Sequence, residues 1–354
     1  MKRRPAHKIQ KKKKVINRGN IKVIYRTLIA FSLFFISIVF LSFYLMYKSL
    51  NASFASASDY ENTDYTVISD QFPTLVYAVV DDLKIDPLII KDLKFLVFDR
   101  SNKKVLLYSI PVEYKFDIAG KYGVEEISKV LALGALNSEN PLEDGSRVLK
   151  NSMFKIFGFK VDRFLLADKN SRSLFDDLLG NGSFLDLIKL RDFLKVHDDF
   201  KTDLSLEEFY NLFTFVKSIP NDRLIGRVLT QKDFEDSTVI DASYEDISLN
   251  SYLSSESKNI SVLNGTDIPG LAYLGARVVE NMGGRVVALG NADKTYSESV
   301  VVCDDLNSET CRFLRRVFNI NKVVEKAENY VREREVDRSD IVVILGFDTS
   351  GELY

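Results

Sequence analysis

The distribution of apolar and polar positions divides this chain into an uncharged run, two polar stretches and two regions of short strands and helices. From Thr27 to Tyr47 the sequence TLIAFSLFFISIVFLSFYLMY carries no charge over 21 residues. At about 1.5 Å per helical residue it spans roughly 30 Å, the hydrocarbon thickness of a bilayer. Tyr44 and Tyr47 stand at its outer end, where amphipathic rings favour the interface. The pattern predicts one transmembrane helix over 27–47. A cleaved signal peptide is the competing reading, since Ala55-Ser56-Ala57 resembles a cleavage site. The run exceeds the ~7–15 apolar residues of a signal peptide, which favours an uncleaved anchor.

After a small, polar stalk (48–64), the region 65–230 is predicted to be mixed α/β. The runs 94–98 and 105–110 flank the polar turn 99–104, a β-hairpin signature, and Pro111 ends the second strand. Val161–Leu166 is expected to be another strand, and Ser171–Leu179 a helix stopped at Gly180. Ser205-Leu206-Glu207-Glu208 has capping-box spacing and opens an amphipathic helix that Pro220 terminates. Residues 231–259, rich in Ser and Asp, are expected to be a linker.

The remaining stretch, 260–354, is predicted as a small β-α-β-β-α-β two-layer sandwich. Its strands are 260–263, 285–289, 299–303 and 341–345. Its first helix is expected to be capped by Asp267 and closed at Gly283-Gly284, and its second to run from Ser308 to Phe318. Residues 322–335 fit a short strand or a charged helix equally. The fold class is therefore α/β (α+β): one N-terminal transmembrane helix followed by two exported mixed domains.

Composition sharpens this picture in two ways. Among the 354 residues the net charge is only −2, but residues 1–26 hold eleven Lys or Arg and no acid. That asymmetry places the N-terminus in the cytoplasm and the rest of the chain outside, in the cell membrane. The tail's one aromatic, Tyr25, adjoins the apolar run and leaves the lysine cluster without rings to stack bases, so no nucleic-acid partner is expected. The two His (His7, His197) and two Cys (Cys303, Cys311) lack the close pairwise spacing of a finger-type zinc site. Cys303 and Cys311 are a candidate disulfide if the domain is exported, with reduced core cysteines as the alternative.

The segments ISVLNGTDIPGLA (260–272), Gly284–Val287 and VVILGFD (342–348) resemble the C-terminal domain of LytR-type cell-envelope proteins. Within this resemblance Asn264-Gly265 makes a tight strand-to-helix turn, and Gly270 with Ala272 allows close packing. Asn264, Gly265 and Gly270 form a weak candidate ligand site, since a helix N-terminus after a glycine turn can hold an anion. The stretch lacks the Lys and Ser/Thr of a phosphate loop.

With that match, 65–230 resembles a degenerate LytR-CpsA-Psr domain. Its segment Asp92–Glu113 is similar to that family's core hairpin, which ends in Ser-Ile-Pro-Arg-Asp. Ser109-Ile110-Pro111 match, but Val112 stands at the arginine position and Glu113 at the aspartate. The family transfers glycopolymers from a polyprenyl-pyrophosphate carrier to peptidoglycan, with arginine clamping the pyrophosphate and acids holding a divalent metal. Valine offers no such clamp. Asp92, Glu113 and Lys121 are the candidates for a retained site, with Mg²⁺ as cofactor in that case alone.

Three functions follow from the resemblance. The first is binding or organising cell-wall glycopolymers or their polyprenyl carriers at the membrane, without catalysis. The second is a phosphotransferase with an altered clamp. The third is an envelope-linked regulator of attenuator type. Oligomeric state has no signature in the sequence.

Overall fold

The computed structural model describes residues 29, 31–42, 44–45, 71–171, 200–249, 251–328 and 331–354. The chain divides into two units, Met1–Ala52 and Ser53–Tyr354. In the first, residues 31–42 are helical and expose apolar side chains such as Phe31, Phe34 and Phe40. Among the described residues no helix is long and apolar enough to cross a membrane. The basic tail, the stalk and the helix expected from 172 to 179 lie outside the described residues.

In the second unit the strands follow in chain order. They are β1 (Thr74–Val80), β2 (Ile90–Asp99), β3 (Lys104–Ser109), β4 (Lys115–Ile118), β5 (Gly123–Glu126), β6 (Arg163–Asp168), β7 (Phe200–Thr202) and β8 (Leu224–Val228). Then come β9 (Asn259–Asn264), β10 (Arg285–Asn291), β11 (Val300–Cys303), β12 (Lys322–Glu325) and β13 (Ile341–Leu345). The first sheet has the order β7-β6-β1-β2-β3-β8, and β4-β5 form a separate hairpin. The expected hairpin is β2-β3, with Asp99 opposite Lys104 and Lys94 opposite Ser109. At its turn the Asp99 carboxylate accepts from the Asn102 backbone N–H at 3.0 Å.

β1, the sequence TLVYAVV, is buried on both faces. Its Val76, Ala78 and Val80 join Leu93, Phe95 and Val97 in one core. Its Leu75, Tyr77 and Val79 join Leu96 and Phe98 in the other. Helices α1 (Val130–Gly134) and α2 (Pro141–Phe157) contribute Leu131, Leu149 and Phe157 to the first core. Helix α3 (Leu206–Ser218) contributes Phe209, Leu212 and Phe213 to the second.

The box at the start of α3 forms as expected. Ser205 Oγ accepts from the Glu208 N–H at 3.1 Å, and Glu208 Oε2 accepts from the Ser205 N–H at 2.8 Å. We expect Ser205→Ala to cost about 1 kcal/mol in urea denaturation, because the Glu208 N–H loses its acceptor. A change of less than a few tenths would mean that the cap contributes nothing here.

Residues 231–256 are not the linker expected from their composition. They form α4 (Gln231–Glu235), α5 (Thr238–Ala242), α6 (Glu245–Leu249) and α7 (Tyr252–Glu256). Ile240, Tyr244, Ile247 and Leu253 are buried in the first core, so a few apolar residues suffice to dock an otherwise polar segment.

In the C-terminal sheet the order is β10-β9-β13-β11-β12, parallel except between β11 and β13. Helices α8 (Leu271–Asn281) and α9 (Glu309–Val317) cover one face, and α10 (Phe347–Leu353) closes the chain. The expected β-α-β-β-α-β order gains a strand, β12, from the segment that was ambiguous. Asp267 does not cap α8. That position belongs to Gly270 at φ +86°, and Asp267 is exposed.

One guanidinium ties the two sheets together. Arg277 of α8 donates through Nη1 and Nη2 to the Lys155 and Ile156 carbonyls, each at 2.8 Å. Its Nε and Nη2 also grip the Asp241 carboxylate at 2.8 Å. Asn281 Nδ2 donates to the Gly158 carbonyl at 3.1 Å and to Asp241 at 2.9 Å. These contacts satisfy the carbonyls that the C-terminal end of α2 would otherwise leave unpaired.

Burial, and then the charge of Asp241, raise the carboxyl of nearby Glu280 above its ordinary 4.5. Folded Glu280 therefore keeps its proton to higher pH than the unfolded chain does. Stability falls as pH rises from about 4.5 through the raised folded value. Glu280→Gln escapes this loss, so we expect its melting temperature to exceed the parent's at pH 7 and to match it below the ordinary value. Equal melting at both pH values would remove the linkage.

Candidate functional site

A cleft of about 380 Å³ opens beside the first sheet. Its apolar wall is built by Leu83 and Leu88 from the loop after β1, Leu131 of α1 and Leu142 of α2. Leu83, Leu88 and Leu142 rest on the first core, which holds this wall in place. Lys84, Lys201 and Asp86 stand on the polar side, with Glu139 and Glu143 beside the first turn of α2. The volume lies in the range of about 300–1,000 Å³ typical of ligand pockets. An apolar wall under mixed charges suits an amphiphile, with its tail on the leucines and its head among two lysines and three carboxylates.

The sequence did not single out these residues. They come from positions 83–88, 131–143 and 201, carry no motif, and meet only because β1 and the α1–α2 pair pack on one core. Gly134 and Gly145 make that pairing close. A Cβ on Gly145 would lie 2.7 Å from the Leu131 carbonyl oxygen.

The three candidates for a retained transferase site lie elsewhere. Asp92, on β2, is partly buried beside Lys94, whose Nζ is 3.8 Å from its carboxylate. Glu113 is exposed in the turn after Pro111, and Lys121 is exposed at φ +69° in the turn between β4 and β5. None of the three lines the cleft. Among the described residues no group of three or more His, Cys, Asp or Glu is placed to hold a metal ion. Val112, at the arginine position of the family hairpin, packs against the first core.

In the C-terminal sheet the motif residues build loops. Asn264 Oδ1 accepts from the Thr266 N–H at 2.9 Å and from its hydroxyl at 2.8 Å, while Nδ2 donates to the Ile268 carbonyl at 2.8 Å. The Gly265 N–H donates to the Leu345 carbonyl at 2.8 Å. A Cβ on Gly265 would meet that same oxygen and the Tyr296 ring, each at 3.0 Å. Asn264 thus uses its amide on the turn itself. Asp348 likewise accepts from the Ser299 N–H at 3.0 Å and the Ser299 hydroxyl at 2.6 Å, locking α10 to the start of β11.

Nearby, Glu333 accepts from the Tyr296 hydroxyl and the Asp293 N–H, both at 2.7 Å. Burial and that carboxylate push the Tyr296 phenol well up. Cys303 and Cys311 are joined in a disulfide with Cα atoms 6.2 Å apart, linking the end of β11 to the first turn of α9.

Residues 258–348 match the family model described as LytR cell envelope-related transcriptional attenuator. The resemblance carried by 260–272, 284–287 and 342–348 therefore holds: this segment is a LytR-type domain. No curated protein matches the chain. Three solved structures are similar to part of this chain. TagV of B. subtilis is 9% identical, with 46% of this chain and 86% of that one covered at a TM-score of 0.35. TagT bound to LI-WTA is 14% identical, with 51% and 87% covered at 0.33. The LytR-CPS2A-psr family protein YwtF (TagT) with bound octaprenyl pyrophosphate lipid is 14% identical, with 51% and 86% covered at 0.32. At TM-scores below 0.5 these likenesses carry no functional argument.

Proposed function

We propose that this is a single-pass cell-envelope protein, cytoplasmic at its N-terminus. Outside the membrane it binds or organises cell-wall glycopolymers or their polyprenyl-phosphate carriers, without catalysis. The observation that carries this reading is the match of residues 258–348 to a cell-envelope family. The uncharged run 27–47 behind eleven basic residues supports the anchor and its direction. The Cys303–Cys311 disulfide supports an oxidising exterior, since cytosolic thiols are kept reduced.

The leucine-walled cleft is the place we assign to a polyprenyl chain, with Lys84 and Lys201 near its phosphate. A phosphotransferase needs its clamp and metal acids together. Val112 is spent on the core, and Asp92 and Glu113 lie outside the cleft.

Native mass spectrometry of the full chain, extracted gently from its membrane, tests the proposal. We expect a co-purifying polyprenyl phosphate or glycopolymer fragment, weakened by Lys84→Glu at an exposed position of the cleft. Intact folded protein with nothing bound, from membranes that contain both, would overturn it. Transferase activity abolished by Asp92→Asn or Glu113→Gln would replace it with the enzymatic reading.

A further inference from the structure

A second groove, of about 330 Å³, runs between the start of β1, helix α7 and helix α9, on residues that no comparison assigns. Three aromatic side chains line it. Phe72 is buried beneath it, Phe313 is partly buried, and Tyr252 is 52% exposed. Tyr252 is fixed at the first position of α7, where its N–H donates to Gln71 Oε1 at 3.2 Å. Arg316, in the last turn of α9, is exposed on the same groove and forms no ion pair among the described residues.

Lys160, which feels the charge of Arg316, holds its Nζ 3.7 Å from Asp162. Burial, opposed by Asp162 but reinforced by Arg316, Arg163 and Lys150, lowers the Lys160 ammonium from its ordinary value. Among the described residues Glu309 is the one carboxylate lining the groove, and it is already bridged to Arg312 at 2.8 Å. An aromatic platform beside an unneutralised guanidinium is the chemistry that recognises a sugar ring carrying an anion. The apolar face of the ring stacks on the phenol, and the planar fork takes two phosphate oxygens.

We propose that this groove binds a phosphodiester-linked glycan or polyol-phosphate segment, with Arg316 on the phosphate and Tyr252 under the adjoining ring or polyol. The site deepens the polymer-binding reading above and rests on it.

The test is isothermal titration of the full chain in detergent with a synthetic glycerol-phosphate hexamer, and with uncharged chitotetraose as comparison. We expect the hexamer to bind and to weaken as salt rises, and chitotetraose to bind far less. Arg316→Ala and Tyr252→Ala should each weaken the hexamer about tenfold, the loss of one charge-assisted or anchoring contact. Arg316→Lys should recover part of the loss. Both side chains are exposed, so unchanged melting temperatures certify the fold.

Hexamer binding that both alanine variants leave unchanged would overturn the groove while the polymer-binding reading stands. No binding of the hexamer by the parent chain would also overturn the groove, and mass spectrometry of bound carriers then decides the broader reading separately. Equal binding of chitotetraose would overturn the anionic specificity.

Discussion

Replacing Arg277 by Met should lower the free energy of unfolding by about 3–5 kcal/mol, the range for removing one partner of a buried ion pair. The side chain is 8% exposed and meets two backbone carbonyls of α2 together with Asp241. Methionine keeps the length and the apolar stem but supplies no donor. The carbonyls of Lys155 and Ile156 then stay buried without a partner, and Asp241 keeps only Asn281 and a 3.4 Å contact from Ser237.

Because this clamp joins the two sheets, we expect the parent to unfold in one transition and the variant to depart from it. Urea unfolding followed at several wavelengths should split in two, with the C-terminal sheet melting at a different midpoint. Arg277→Lys should recover less than half, since one ammonium cannot span three acceptors in fixed directions. A loss below 1 kcal/mol, with a single transition kept, would mean that aromatic and aliphatic packing such as Phe154 against Phe318 joins the sheets unaided.

The second large effect is expected at Gly283. It closes α8 at φ +83°, a conformation that costs any L side chain about 1 kcal/mol or more. Space adds a harsher penalty. A Cβ there would lie 2.2 Å from both the Ser248 carbonyl oxygen and Ser251 Oγ. Both belong to the segment of short helices, so relief would require α6 and α7 to shift off the core that Ile247 and Leu253 anchor. Gly283→Ala should therefore cost about 3 kcal/mol or more. Gly351→Ala is the comparison. It lies within α10 with open space around it, and helix propensity predicts a gain of about 0.5–1 kcal/mol. Equal, small effects at the two positions would show that the α6–α7 segment yields without cost.

Sequence alone determined the parts of this protein whose cause is local. The uncharged run and the charge asymmetry around it are covalent facts. So are the capping box at Ser205, the glycine stop at Gly283 and the hairpin from β2 to β3, each written in residues within one turn or one strand pair. The LytR-type segment was readable for the same reason, because Asn264, Gly265 and Gly346 hold tight loops whose residues cannot vary freely.

The linker expectation failed because composition averages over a segment, whereas docking depends on a few side chains; Ile240, Tyr244, Ile247 and Leu253 were enough. β1, the run TLVYAVV, is buried on both faces and shows no alternation, a pattern that does not by itself separate a strand from a buried helix. The cleft, the aromatic groove and the Arg277 clamp each gather residues from distant parts of the chain. Only the packing of helices and loops on the two sheets brings them within a few ångströms, because that distance is set by the summed geometry of every element between them. The sequence thus decided where elements begin, end and turn. The tertiary structure decided which polar groups face one another, and so where this protein can hold a ligand.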